Sequence, residues 1–124
     1  MFLEDYNCVH CVASPVEETV THLFLSCPFA QICWASLGLL PSQTDDPFVV
    51  IAMYRAQLHC PFALEILITM CWSIWSVRND LIFRGIQPSL QRCKAIFKKE
   101  FAQVTLRAKA SYEPHISQWL EGYV

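Results

Sequence analysis

Four residues near the N-terminus have the types and spacing of metal ligands. Cys8, Cys11, His22 and Cys27 form Cys-x2-Cys-x10-His-x4-Cys, a set of three thiols and one imidazole that suits tetrahedral zinc. A Cys-x2-Cys turn brings two sulfurs to one ion from a single knuckle, and His22 and Cys27 supply the other two donors. With all four positions taken by protein, none is left for a catalytic water, so such a site is structural. His10 is a substitute imidazole, although its place between the two cysteines points it outward from a knuckle. A plainer reading makes Cys8 and Cys11 incidental, His22 a surface helix residue and Cys27 a small buried apolar side chain. Redox chemistry at Cys8 and Cys11 is disfavoured, because such a motif sits between a strand and a helix and no βαβ pattern is present.

The remaining cysteines, Cys33, Cys60, Cys71 and Cys93, lack paired spacing and read as core residues. His59 and His115 have no companion for acid–base work and read as surface or interhelical residues. There is no Gly-rich phosphate loop, no nucleophile elbow and no credible Ser/His/Asp or Cys/His order, which argues against an enzyme. Seven cysteines cannot all pair within one chain, and no charged n-region, apolar h-region and cleavage site opens the sequence. A secreted disulfide scaffold is therefore disfavoured, and an intracellular location is expected.

Charge supplies the second candidate. The formal net charge of −2 hides two opposed halves: residues 1–77 carry Arg55 alone against seven acidic side chains, a net of −6, whereas residues 78–109 carry eight basic and two acidic side chains, a net of +6. Arg92, Lys94, Lys98, Lys99, Arg107 and Lys109 are candidates for phosphate contacts with RNA or DNA, without base-specific readout. The competing reading makes them the solvated face of an amphipathic helix, or a face that packs on the acidic half.

The elements that must position these groups read as helices throughout. Ser14-Pro15, Cys27-Pro28, Asp46-Pro47, Cys60-Pro61, Ser89 and Glu113-Pro114 mark successive helix starts, since Pro tolerates the first turn and Ser or Asp can cap it. Ser14 and Glu17 have capping-box spacing. Helices are predicted over 15–25, 28–37, 47–58, 62–84, 90–109 and 114–121, with no strand alternation. The 62–84 segment has one stripe of Leu64, Ile68, Cys71 or Trp72, Trp75 and Ile82 and another of Leu67, Ile74 and Leu81, so it reads as a central helix covered by the others, with Trp72 and Trp75 in the core. Its longest uncharged stretch, Ile66 to Val77, is shorter than the roughly 20 residues of a membrane span. Leu90, Cys93, Phe97, Phe101, Val104 and Ala108 make the next helix amphipathic, with Lys94, Lys98 and Lys99 outward.

The expected fold is all-α: a small irregular helical domain with an N-terminal Cys3His knuckle and a long central helix. Its parts are a zinc-binding segment over 1–40, a linker and short helix over 41–60, and a helical region over 61–124, together one domain in 124 residues. Apolar residues make up 54% and charged ones only 16%, against about 25% charged in a typical domain. So little charge to cover a globule points to a partner surface.

Cys8-x2-Cys11, the run Glu17-Glu18-Thr19-Val20-Thr21-His22-Leu23-Phe24-Leu25-Ser26-Cys27-Pro28-Phe29-Ala30 and then Trp34 resemble the zinc-binding domain at the C-terminus of plant LINE-type (non-LTR) retrotransposon reverse transcriptases. Cys71-Trp72-Ser73-Ile74-Trp75-Ser76-Val77-Arg78-Asn79-Asp80-Leu81-Ile82-Phe83 is similar to the Trp-x-x-Trp and Arg-Asn-x-x-Ile-Phe stretch that follows this domain in such proteins. The resemblance covers most of the chain.

It implies Cys8, Cys11, His22 and Cys27 as ligands of a structural zinc, Trp34 and the Trp72/Trp75 helix as core, and a nuclear location. Polymerase activity does not carry over, since the chain has neither a palm domain nor the carboxylate pair of a two-metal polymerase. A ribonuclease H domain does not fit into this length either. Because Met1 lies close before Cys8, the resemblance implies a truncated or standalone piece of a retroelement coding region, with Leu23, Phe24, Phe29 and Trp34 bared. Two functions are expected from this: a non-enzymatic structural zinc-binding module of retrotransposon origin that assists nucleic-acid binding, or a helical protein-interaction or dimerisation module with no nucleic-acid role. Partners on these readings are RNA or DNA, a second copy, or a larger reverse transcriptase protein, and no membrane.

Overall fold

The computed structural model describes residues 22–40, 46–107 and 113–123. These are helical, with no strand among the described residues: a π-helical turn His22–Ser26, then α1 (Pro28–Ser36), α2 (Pro47–Leu58), α3 (Ala63–Arg84), α4 (Leu90–Arg107) and α5 (Glu113–Gly122). The fold is all-α. Cys8, Cys11, His10 and the expected N-terminal knuckle lie outside the described residues, as do the first part of the predicted 15–25 helix and Lys109.

The helix starts follow from local chemistry. Pro28 and Pro47 occupy first turns, where a missing N–H costs nothing. Asp46 Oδ1 accepts from the Phe48 N–H at 3.0 Å, and Ser89 Oγ accepts from the Arg92 N–H at 3.1 Å, each satisfying an otherwise orphaned amide. α3 ends at Gly85, whose φ of 64° is left-handed. There the Ile86 N–H reaches back to the Asp80 carbonyl at 3.1 Å, in the manner of a Schellman cap. α2 ends at His59, left-handed with φ 49°.

A single apolar core runs from Leu23 to Tyr123. α3 is its axis, burying Ile66, Leu67, Met70, Ile74 and Val77, and α4 lays Cys93, Phe97 and Phe101 against it, all fully buried. Phe97 and Phe101 stack at 5.3 Å one helical turn apart. Trp119 on α5 and Tyr123, just past its end, stack at 5.6 Å, and the two pairs interlock, with Phe97 edge-on to Tyr123 at 5.1 Å. Geometries of this kind add to the area buried. At the other end Trp34 of α1 meets Tyr54 of α2 at 5.2 Å.

The face that α3 buries corrects the sequence reading of its tryptophans. Trp72 and Trp75 are 48% and 39% exposed, not core residues. Apolar side chains surround the helix, but α4 can cover only one side of it, and it takes the side carrying Ile66, Met70, Ser73, Ile74 and Val77. The opposite stripe of Leu64, Ile68, Trp72, Trp75 and Phe83 faces outward. A second correction concerns the N-terminal aromatics. Leu23 and Trp34 are buried and Phe24 and Phe29 half-buried; most of the exposed large apolar side chains are on α2 and α3 instead.

Candidate metal and interaction sites

Two of the four expected ligands are described, and a local irregularity relates them. The Cys27 N–H donates to the His22 carbonyl at 2.7 Å, an i→i+5 bond that closes the π-helical turn. Such a bond sets the Cys27 backbone about one turn above that of His22.

The cause lies in the flanking residues. Pro28 has no N–H to offer the Phe24 carbonyl four residues back, and that carbonyl accepts from Trp34 Nε1 instead, at 2.6 Å. The turn is thereby tied to α1. His22 is half-buried and Cys27 fully buried. The pinned turn thus brings the backbones of these two residues, one bearing an imidazole and one a thiol, one turn apart. Among the described residues no group of three or more His, Cys, Asp or Glu converges to hold an ion; Cys8 and Cys11 stand outside that set.

The other cysteines divide. Cys33 and Cys93 are fully buried, as expected, while Cys60 and Cys71 are half-buried. A hydrogen bond with Cys93, burial, and the nearby Cys93 and Cys27 thiols drive the Cys33 thiol far above its usual range. Cys93 Sγ in turn donates to Met70 Sδ at 3.6 Å. Cys33, Met70 and Cys93, from α1, α3 and α4, thus meet in the core, with the Cys27 thiol nearby. Sequence reasoning missed this cluster, because positions 27, 33, 70 and 93 carry no spacing signal. Burial also pushes the Cys71 thiol up to about 11 and raises that of Cys60. The Cys33, Cys60 and Cys71 thiols are thus shifted away from the depressed range of a reactive nucleophile.

The phosphate-contact candidates on α4 are partly engaged within the fold. Arg92 Nη2 lies 2.5 Å from Asp80 Oδ2, and its Nε is buried with no partner among the described atoms. The ammonium groups of Lys94 and Lys98 lie 4.9 and 5.9 Å from the centre of the Tyr123 ring, within cation–π range. Lys99 is exposed. Arg107 closes α4, with its side chain outside the described set, as is that of His115. His59 is exposed, as the sequence suggested.

No protein family, curated protein or solved structure matches the chain.

The remaining feature is apolar. Phe24, Leu25, Trp34, Ile51, Tyr54 and Leu64 are among the residues lining a cavity of about 310 Å³ between the π turn, α2 and α3. Ile68 and Cys71 complete its rim and join it to the outward stripe of α3. Burial raises the pKa of the Tyr54 hydroxyl. No single helix among the described residues is long and apolar enough to cross a membrane, and α2 and α3 bend by 120° at their junction.

Proposed function

We propose that the chain is a non-enzymatic structural module, organised at its N-terminal end by a zinc ion on Cys8, Cys11, His22 and Cys27. The observation that carries this reading is the pinned π turn, which sets His22 and Cys27 one turn apart at the spacing of the Cys3His set. The resemblance to the zinc-binding domain of plant LINE-type reverse transcriptases supports it and suggests a retroelement origin. Zinc would supply folding free energy to the N-terminal quarter, on the order of 10 kcal/mol. Native mass spectrometry before and after chelation tests it. A single zinc per chain, lost in a Cys27→Ser variant, is expected; a folded chain that never takes up zinc refutes the reading.

What the module presents to other macromolecules is, on this proposal, the outward face of α3 more than the basic face of α4. Exposure of Ile68 at 60% and Trp72 at 48% favours an interaction surface, whereas Arg92, Lys94 and Lys98 already have partners within the fold. Phosphate contact through α4 is the lesser component. Titration with single-stranded RNA and duplex DNA at two salt concentrations measures it, with weak, steeply salt-dependent binding expected.

A further inference from the structure

We propose that the cavity between the π turn, α2 and α3 binds a small neutral aromatic molecule, two fused rings in size, that hydrogen-bonds the Tyr54 hydroxyl. A small-molecule site of this kind goes beyond the structural and macromolecular roles proposed above.

Volume and depth set the size of the guest. A dry apolar cavity of about 150 Å³ takes one benzene ring, and this one, at about 310 Å³, has room for two. Trp34, Tyr54 and Leu67 are its buried floor, whereas Ile51, Leu64 and Ile68 are an exposed rim. A flat molecule entering past the rim would be withdrawn from water on most of its surface, as in ordinary ligand pockets.

The walls set the chemical class. Among the described residues no charged side chain lines the cavity, so a carboxylate, phosphate or ammonium group would be stripped of water with nothing to pair it. The guest is therefore neutral. Phe24, Trp34 and Tyr54 supply aromatic rings, the last two tilted at 42° with centres 5.2 Å apart, and Cys71 supplies a sulfur. Such walls favour an aromatic guest, through offset or edge-on ring contacts and through sulfur–aromatic contact.

One strong hydrogen-bonding group is left over for that guest. Of the lining side chains with a polar atom, Trp34 is engaged by the Phe24 carbonyl, and the Cys71 thiol is a weak donor. Tyr54 is 2% exposed, and its hydroxyl has no hydrogen-bond partner among the described residues. Burial alone acts on it, with no hydrogen bond opposing. Buried tyrosine hydroxyls ordinarily have a partner. Nor is this oxygen sealed in, since Arg92 Nε is the one sealed side-chain nitrogen or oxygen without a partner among the described residues. The hydroxyl therefore meets open space, and the cavity is open space that Tyr54 lines. A hydroxyl on the guest would complete it.

Isothermal titration calorimetry of the full chain with 2-naphthol tests the site. One molecule per chain is expected, with a dissociation constant of order 30 µM for a guest of this size. Naphthalene, which lacks the hydroxyl, should bind about fivefold more weakly, and 2-naphthoate, which carries a carboxylate, about tenfold more weakly or worse. Tyr54→Phe keeps the ring and should abolish the preference for 2-naphthol over naphthalene. Peptide mapping after reaction with a neutral maleimide locates the guest: 2-naphthol should slow labelling of Cys71, on the cavity wall, and leave that of Cys60, between α2 and α3, unchanged. No binding at about 1 mM 2-naphthol overturns the proposal. So does 2-naphthoate binding as tightly as 2-naphthol, a preference that survives Tyr54→Phe, or a bound guest that leaves Cys71 labelling unchanged.

Discussion

Arg92 on α4 and Asp80 on α3 are joined across the turn between the two longest helices, with Nη2 2.5 Å from Oδ2. Asp80 also faces Arg84, one turn further along α3, at 3.6 Å. The Arg92–Asp80 pair is partly shielded, with side-chain exposures of 36% and 20%. Its net value is therefore that of a charge-assisted hydrogen bond discounted for solvent. Asp80→Asn should cost about 1 kcal/mol in urea unfolding, less at high salt, and a double-mutant cycle with Arg92→Ala should recover most of that as coupling energy. The same substitution frees a guanidinium on the basic face, so any affinity for duplex DNA should rise.

The aromatic interlock makes a sharper stability contrast. Phe97 is fully buried and touches Phe101, Trp119 and Tyr123. Phe97→Ala should cost about 3–5 kcal/mol, with loss of near-ultraviolet circular dichroism from Trp119. Phe48, 82% exposed at the start of α2, should tolerate Ala within about 0.5 kcal/mol. Chemical denaturation of the two variants side by side checks both.

The contrast also marks what was legible in the sequence. Helix boundaries were local properties: Pro28 and Pro47 in first turns, and the Asp46 and Ser89 caps, stand where the spacing put them, and the predicted 47–58 helix coincides with α2. The amphipathic pattern of α4 gave its buried face correctly. The 62–84 segment carries apolar residues on both sides, so periodicity alone did not choose which would meet α4, and Trp72 and Trp75 were placed inward. Of the candidate site, the His22–Cys27 spacing was visible. The π turn was not, because it depends on a Trp34 side chain ten residues from the carbonyl it satisfies.

The C-cap of α2 is strained by its side chain. His59 is left-handed at φ 49°, a conformation costing an L-residue roughly 1 kcal/mol. Its N–H must still reach the Arg55 carbonyl, at 3.1 Å. Glycine takes this geometry freely but loses more chain entropy on folding. His59→Gly should therefore stabilise the fold by about 0.5 kcal/mol, read as a small rise in the melting temperature.

Alkaline pH should unfold the chain from its C-terminal end. Burial pushes the Tyr123 hydroxyl up from 10 to about 12, with its hydrogen bond to Ser36 opposing that shift and the nearby Cys93 and Cys33 adding to it. The folded pKa lies above the unfolded one, so the folded state keeps a proton the unfolded chain has lost. Stability is then full below pH 10 and drains away as pH rises through about 12. Cys71 adds the same trend between pH 9 and about 11. Tyr123→Phe gives up the 3.2 Å contact with Ser36 but should flatten the pH 10–12 part of the curve, measured as urea midpoints across that range.

The Trp34–Phe24 hydrogen bond links α1 packing to the proposed zinc site. Trp34→Phe keeps an aromatic ring beside Tyr54 but withdraws the 2.6 Å donor from the Phe24 carbonyl. Pro28 has no N–H to take its place. A partly buried carbonyl without a partner costs about 1–3 kcal/mol. The turn carrying His22 also loses its anchor, and outer contacts of this kind tune metal affinity by about tenfold or more. Competition with a chromogenic chelator should show weaker zinc binding in Trp34→Phe, whereas Phe48→Ala, at an 82% exposed position on α2, should leave the zinc affinity nearly unchanged. Equal zinc affinity in Trp34→Phe and the native chain would mean that the π turn holds His22 without help from Trp34.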